Sequence, residues 1–279
     1  MKHAYLIIAH HEFNVLKRLL QMLDDERNDI FIHFDKKVKD IPVLQTDKSA
    51  LHIIKKRINI RWGHISQIEG EYALMEAAMQ TDNYKYCHII SGVHLPLYAQ
   101  DYIHDFFDQL GNLQLLTPMP TYLDEIKNKM MSYNFFLYNF SGRRTYQILW
   151  RLGHRVQRLL KIQRHVGTVF KKASNWMSIT DGAVRYMISI KEQVLRKYRY
   201  TMCGDEFFTP TELENSALRE LVLYNERMLK FEIGRANART FRLEDFDELM
   251  TSGCLFARKF SETDMDLVEK IVETIKDRK

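Results

Sequence analysis

HAYLIIAHHEFNVLKRLLQMLDDERNDIFIHFD, residues 3–35, decides the fold. His3 to Ala9 is a short apolar run rich in Ile and Leu and reads as a buried strand. Val15, Leu16, Leu19, Leu20 and Leu23 follow at helical spacing, and Asp29 to Asp35 reads as a second strand. The chain therefore opens β-α-β, the pattern of a parallel sheet.

Outward from this unit the pattern continues. Leu51 to Ile60 reads as a third strand, Ile65, Ile68, Tyr72, Met75 and Met79 as an amphipathic helix, and Tyr84 to Ile90 as a buried strand ending at Ser91-Gly92. The first third thus resembles a nucleotide-binding α/β unit, yet it holds neither G-x-G-x-x-G nor G-x-x-x-x-G-K-[ST]. Past Ser174, Asn175 to Ile179 and Met228 to Ile233 read as strands. Asp181 to Ile190, a stretch from near Asp205, and one carrying Leu243, Phe246 and Leu249 read as helices. Ser261 with Asp264 suggests a capping box before a last helix, with Leu267, Val268, Ile271, Val272 and Ile275 on one face. With no repeat, low-complexity tract or Pro/Gly linker, residues 1–279 read as one mixed α/β domain.

Composition narrows the function. Apolar residues are 46%, charged residues 28%, and the net charge is +5, too weak to indicate nucleic-acid binding. The three cysteines, Cys87, Cys203 and Cys254, are scattered and unpaired in spacing, which fits a reducing compartment. The apolar run at the N-terminus breaks at His10, so it is not a signal peptide, and no stretch approaches ~20 apolar residues. The expected location is the cytoplasm, with peripheral contact at the inner face of the membrane.

That contact is suggested by the middle of the chain. Between Ile126 and Thr180 there are eleven Lys and Arg and no Asp or Glu. Tyr133, Phe135, Phe136, Tyr138, Phe140, Tyr146 and Trp150 sit among them, and Thr145 to Phe170 reads as helical. Residues 126–172 form a basic-aromatic helical insert. It is either a solvated face beside the core or a surface for anionic lipid or a charged acceptor.

Several blocks, taken in order, carry a resemblance. They are AYLIIAHHEFNVLKRLLQML with DIFIHFDKKV, RWGHISQIEGEYALMEAA, YKYCHIISGVHLPLYAQDYIHDFF, ASNWMSIT, GDEFFTPTELENS and LFARKF. Together they resemble the core-2/I-branching N-acetylglucosaminyltransferase family, which also holds the peptide xylosyltransferases. The similarity runs over roughly residues 3–262. Shorter than eukaryotic members and without their anchor, stem and many cysteines, the chain is similar to a bacterial member.

The resemblance implies a GT-A fold, a Rossmann-like and mostly parallel sheet with the donor at its C-terminal edge. It also implies an inverting transfer in which a carboxylate deprotonates the acceptor hydroxyl. The donor is expected to be UDP-GlcNAc, with UDP-xylose or UDP-galactose as the alternative, and the acceptor a saccharide growing on a lipid carrier. No metal cofactor is expected: Ile90-Ser91-Gly92-Val93-His94 stands where a metal-dependent relative has Asp-x-Asp.

Residue by residue, the resemblance places the base at Glu206 in GDEFF, beside Phe207 and Phe208, with Asp205 as fallback and acceptor contact. The bland reading is that both acids open a helix. Lys259 in LFARKF matches the lysine that neutralises the diphosphate, while Arg258 points away if this is a strand. An arginine upstream of the preceding helix should assist it. Arg235, Arg239 and Arg242 compete, and Arg239 fits the spacing best. Asp35 matches the aspartate facing uracil, and His10, ending the neighbouring strand, joins it in the nucleotide pocket. Trp62 and Trp176 are sugar platforms or core residues, with Trp176 expected on the acceptor side. His94 replaces an Asp, and Ala173-Ser174-Asn175-Trp176 replaces G-S-Q-W, changes that bear on donor or acceptor choice.

Two other function classes remain for comparison. A histidine-metal hydrolase lacks an H-x-x-x-H or H-E-x-x-H helix, and His10-His11 are adjacent rather than convergent. A non-catalytic membrane-associated scaffold explains the basic segment but not the ordered blocks.

Overall fold

The computed structural model describes residues 1–140, 142, 144–232 and 238–277. The opening stretch forms β1 (His3–Ala9), α1 (Phe13–Leu23) and β2 (Asn28–Phe34). Next come β3 (Ala50–Ile53), α2 (Ser66–Thr81), β4 (Tyr86–Ser91), β5 (His94–Pro96), α3 (Gln100–Leu110) and β6 (Gln114–Pro118). The middle supplies α4 (Leu123–Lys129), α5 (Arg144–Leu159), β7 (Ala173–Thr180), α6 (Asp181–Ser189) and α7 (Lys191–Tyr198). The last part supplies α8 (Phe208–Glu214), β8 (Val222–Tyr224), β9 (Leu229–Lys230), α9 (Phe246–Thr251), β10 (Phe256–Arg258) and α10 (Met265–Asp277).

Seven strands form the main sheet in the order β3-β2-β1-β4-β7-β6-β8, and β5-β10-β9 form a small second sheet. β3, β2, β1 and β4 run parallel, and β7 is antiparallel to both β4 and β6. This is the mostly parallel α/β sheet expected of a GT-A fold. β1 and β2 are buried on both faces, which is why their sequences show no alternation.

Register positions the site. Ala9 pairs with Phe34, and Ile8 with Ser91, so β1, β2 and β4 end at one edge. β7 comes back the other way, with Tyr86 opposite Thr180 and Ile89 opposite Met177, so its N-terminal half reaches the same edge. Ligands of open α/β sheets bind outside such strand ends.

His3, His88 and His104 pack together in the core. The His3 and His104 rings stack at 4.0 Å, and His88 Nε2 meets His3 Nδ1 at 3.0 Å. Burial, with mutual repulsion second, pulls the His88 pKa well below its usual value, so this ring stays neutral.

Several boundaries differ from the sequence reading. The strand expected over Leu51–Ile60 stops at Ile53. There Arg57 folds back to donate to the carbonyls of Phe34 and Asp35 at 3.2 and 2.7 Å, and Ile58 N donates to His33 Nε2 at 2.8 Å. The segment covers the end of β2 instead of extending the sheet. The helix expected over Thr145–Phe170 stops at Leu159, because Lys161, His165 and Gly167 have φ of 54°, 55° and 88°. Between them Arg164 is held back against α7, its guanidinium donating to Lys197 O at 2.8 Å.

Near Asp205 a 3₁₀ turn, Gly204–Glu206, precedes α8, and another, Leu243–Asp245, precedes α9. Ser261 opens a third 3₁₀ turn by accepting from Thr263 N, but Asp264 accepts from Leu243 N and does not close a capping box. The strand expected over Met228–Ile233 is reduced to β9, and Ile233 lies outside the described residues. No described helix is long and apolar enough to cross a membrane.

Candidate active site

The shared strand edge opens into a cavity of about 350 Å³. His10 and His11 follow β1 into it, Asp35 follows β2, Ser91 to Val93 follow β4, and Trp176 enters from β7. Gly92 is needed where β1 and β4 crowd, since a Cβ there would lie 3.2 Å from that of Ala9. Asp35 is buried, accepting from Lys37 N at 2.8 Å with Lys37 Nζ 3.1 Å away. The His10 ring stacks on His11 at 4.0 Å. The sequence-predicted His10, Asp35, Trp176 and Lys259 therefore share one cavity.

Arg258 lines this cavity as well, which corrects the expectation that it points away. It is the last residue of β10, so strand alternation does not oppose it to Lys259 beyond the strand end. Its guanidinium lies 4.9 Å from the Trp176 ring, and its buried Nε has no hydrogen-bond partner. Burial pulls its pKa down to about 10, so it remains a cation at neutral pH. Lys259 has no ion-pair partner among the described residues. His94 lies behind Trp176, edge-on at 5.1 Å, with its Nδ1 accepting from Ser91 N at 3.0 Å. Burial and the charge of Arg258 keep it neutral, so it presents an uncharged ring to Trp176.

A second cavity of about 590 Å³ adjoins the first. Trp62, Gln67, Asn175, Trp176, Ala238 and Arg258 line both. The far side comes from α4, the segment before β7 and the Gly204–Glu206 turn. Gly63, with φ 70°, makes the turn that links α2 to this region. Cys203 N donates to Gly63 O at 3.0 Å, and Gly63 N donates to Gln67 Oε1 at 2.5 Å. Gln67 Nε2 then donates to Asp205 Oδ2 at 2.8 Å. RWGHIS and GDEFF, distant in sequence, thus form one wall.

Two carboxyl groups on this wall carry little or no compensation. Burial, then the charge of Glu206, pushes the Asp205 pKa up to about 7. Glu71, one helical turn after Gln67, is 1% exposed, and neither of its oxygens has a hydrogen-bond partner. Burial, then the charge of Asp205, raises its pKa well above the carboxylate range, so it is a neutral acid facing the first cavity.

Glu206 is different. Its side chain faces the second cavity, with Lys172 Nζ at 3.4 Å and Lys129 Nζ at 3.8 Å. Both lysines also bind Glu125, at 2.7 and 2.8 Å. Phe207 and Phe208, its neighbours in sequence, are fully buried in the core. The surroundings of Glu206 are therefore two ammonium groups and open space, and its Oε2 has no hydrogen-bond partner.

Arg239 does not join the site. It lines neither cavity, and its guanidinium is taken by Glu232 at 2.7 Å and by both oxygens of Asp245 at 2.9 Å. Arg242 N-caps the turn before α9, and Arg235 lies outside the described residues. Arg258, Glu71, Gln67, Glu125, Lys129 and Lys172 are the site residues sequence reasoning missed. Glu71 and Gln67 fall within RWGHISQIEGEYALMEAA, where nothing in the spacing distinguishes them from ordinary surface positions of an amphipathic helix. Among the described residues no group of three or more His, Cys, Asp or Glu is placed to hold a metal ion.

The chain is 25% identical to Xylosyltransferase 2 of Rattus norvegicus over 294 residues, covering 93% of this chain and 32% of that protein. It thus spans about a third of that relative's length. The solved apo structure of mouse Xyloside xylosyltransferase 1 aligns with 91% of this chain and 97% of its own, at 9% identity and a TM-score of 0.39. Residues 3–251, from β1 into α9, match the family described as Core-2/I-Branching enzyme. The chain belongs to the Core-2/I-Branching enzyme family.

Proposed function

We propose that this protein is an inverting glycosyltransferase that moves GlcNAc from UDP-GlcNAc to a hydroxyl of a saccharide. The observation that carries this reading is the pair of adjoining cavities, the first holding Lys259, the second Glu206, with Arg258 on the wall they share. The uracil end of the donor meets His10 and Asp35. The diphosphate lies against Lys259 and Arg258, and the sugar lies between Trp62 and Trp176, where the cavities meet. Glu71, a neutral acid on that floor, can donate a hydrogen bond to a polar group of the donor sugar.

In the second cavity an acceptor hydroxyl gives its proton to Glu206. The oxygen attacks the anomeric carbon from the side opposite the diphosphate. The glycosidic bond forms as the bond to the phosphate oxygen breaks, and UDP leaves with that electron pair. Lys259 and Arg258 stabilise the charge that develops on it. They supply this without a resident metal ion. Lys129, Lys172 and Glu125 hold Glu206 in place and can bind acceptor hydroxyls.

A second donor, UDP-xylose, is favoured by the similarity to rat Xylosyltransferase 2. A panel of UDP-GlcNAc, UDP-xylose, UDP-galactose and a GDP-sugar, read as nucleoside diphosphate release, separates the two. Turnover of UDP-GlcNAc above the others supports the first reading, and preference for UDP-xylose replaces it with the second. Release from the GDP-sugar alone, or from none while UDP fails to raise the melting temperature, would remove both.

A further inference from the structure

α5 is an amphipathic helix set into the protein the unusual way round. Its inner face is polar or aromatic and is bonded in place. Trp150 Nε1 donates to Asn134 Oδ1 at 2.7 Å, and His154 Nε2 meets the same oxygen at 3.0 Å. Gln157 receives Tyr133 N at 2.7 Å and donates to Tyr133 O at 2.9 Å. These contacts fix which face points out, and the outer face is aliphatic. Ile148, Leu149, Leu152, Val156 and Leu159 are 54%, 43%, 55%, 46% and 82% exposed. At about 100° per residue they form one continuous stripe. Arg144, Arg151, Arg155 and Arg158, all exposed, form the arc along one side of it.

An aliphatic stripe bordered by arginines, fully outside the core, is the arrangement of a helix that lies in a membrane interface. We propose that α5 docks this protein on an anionic lipid surface, with the aliphatic stripe among the acyl chains and the arginine arc at the phosphates. Charge selects this occupant. The chain's whole excess of positive charge lies between Ile126 and Thr180, since the rest carries more acidic than basic residues. No acid in that stretch is available to receive the arginines of a second copy. The helix is also joined to the site. Trp150 packs on Phe140, and both pack on the cluster of Leu137, Met202 and Cys203, of which Cys203 lines the second cavity. Docking through α5 therefore sets the second cavity near the bilayer, where a lipid-borne saccharide would be presented.

The test is co-sedimentation of the full chain with vesicles of phosphatidylcholine alone or of equal parts phosphatidylcholine and phosphatidylglycerol. Wild type should bind the anionic vesicles at least about tenfold more strongly and be released by high salt. The pair Leu152→Glu and Leu159→Glu, and separately Arg151→Gln and Arg155→Gln, should each reduce binding at least about tenfold. Both pairs sit on exposed positions, so melting temperature and its rise with UDP should stay at wild-type values. Leu152→Ala with Leu159→Ala provides a milder check if the Glu pair lowers stability, and it should still weaken binding. Equal binding to both vesicle types, or binding unaffected by these changes, overturns the proposal. So does a concentration-dependent dimer that the leucine changes abolish, which would assign the stripe to a second copy.

Discussion

The two cavities are built from different materials. The first is walled by strand ends, with His10 after β1, Asp35 after β2, Gly92 after β4 and Arg258 ending β10. The second is walled by connections and short turns, with Glu125 and Lys129 from α4, Lys172 from the segment before β7, and Asp205 and Glu206 from a 3₁₀ turn. Strand ends are fixed by the backbone register of a buried sheet. The second wall is held by side chains, above all the Gln67–Asp205 hydrogen bond and the four-membered cluster of Glu125, Lys129, Lys172 and Glu206. Under the proposed function, the fixed wall takes the nucleotide and the wall of side chains takes the acceptor.

The largest expected effect separates the cavities by function. Glu206→Gln should lower transfer ~10²–10⁴-fold while UDP binding stays near wild type, because only the second cavity loses a group. Activity above about a tenth of wild type would move the base elsewhere.

Arg258 stands on the shared wall, so its loss should blur the separation. Arg258→Met keeps much of the side chain's bulk over Trp176 but removes the buried charge. It should lower kcat/KM on the order of 10–100-fold, with losses in both donor affinity and turnover. A change in acceptor KM alone would confine Arg258 to the second cavity.

Asp205 tests what holds the second wall. Its folded pKa of about 7 lies above the ordinary aspartate value, so the unfolded chain ionises first. Folding is therefore unpenalised below about pH 4, and stability falls as pH rises toward 7, on the order of a few kcal/mol. Asp205→Asn keeps an acceptor for Gln67 and removes the penalty. Melting temperature against pH should show variant and wild type converging near pH 4 and the variant pulling ahead by pH 7. Parallel curves would mean that Asp205 is ionised in the fold.

The smallest effect concerns Glu71. Glu71→Leu removes two unpartnered buried oxygens and should raise stability by about 1 kcal/mol. Donor turnover should fall by a few-fold if this acid bonds the donor sugar. A rise in melting temperature with unchanged turnover would make Glu71 a strained core residue and nothing more.

The same contrast explains what the sequence discloses. Apolar runs and helical spacing mark β1, α1, β2, α2 and β4, because burial on a sheet leaves a pattern that needs no partner to read. The placing of Asp35 and His10 at neighbouring strand ends follows from those elements, whereas Lys259 is singled out by the block resemblance alone. The lysine cluster has no such pattern: Glu125 and Lys172 are 47 residues apart and meet only through the fold. Arg239 illustrates the converse error, since its spacing fits a phosphate ligand but Glu232 and Asp245 claim its charge. Short elements such as β5 and β8, of three residues each, fall below the length at which periodicity can be recognised.

We propose above all that fixed cations at the end of β10 receive the diphosphate. Calorimetric titration of UDP and of uridine into wild type and Lys259→Ala, all in excess EDTA, tests it most directly. UDP should bind wild type in chelator more tightly than uridine, and Lys259→Ala should close most of that gap while leaving uridine unchanged. UDP binding that appears only on adding Mg²⁺ or Mn²⁺, with the gap intact in Lys259→Ala, would contradict the claim.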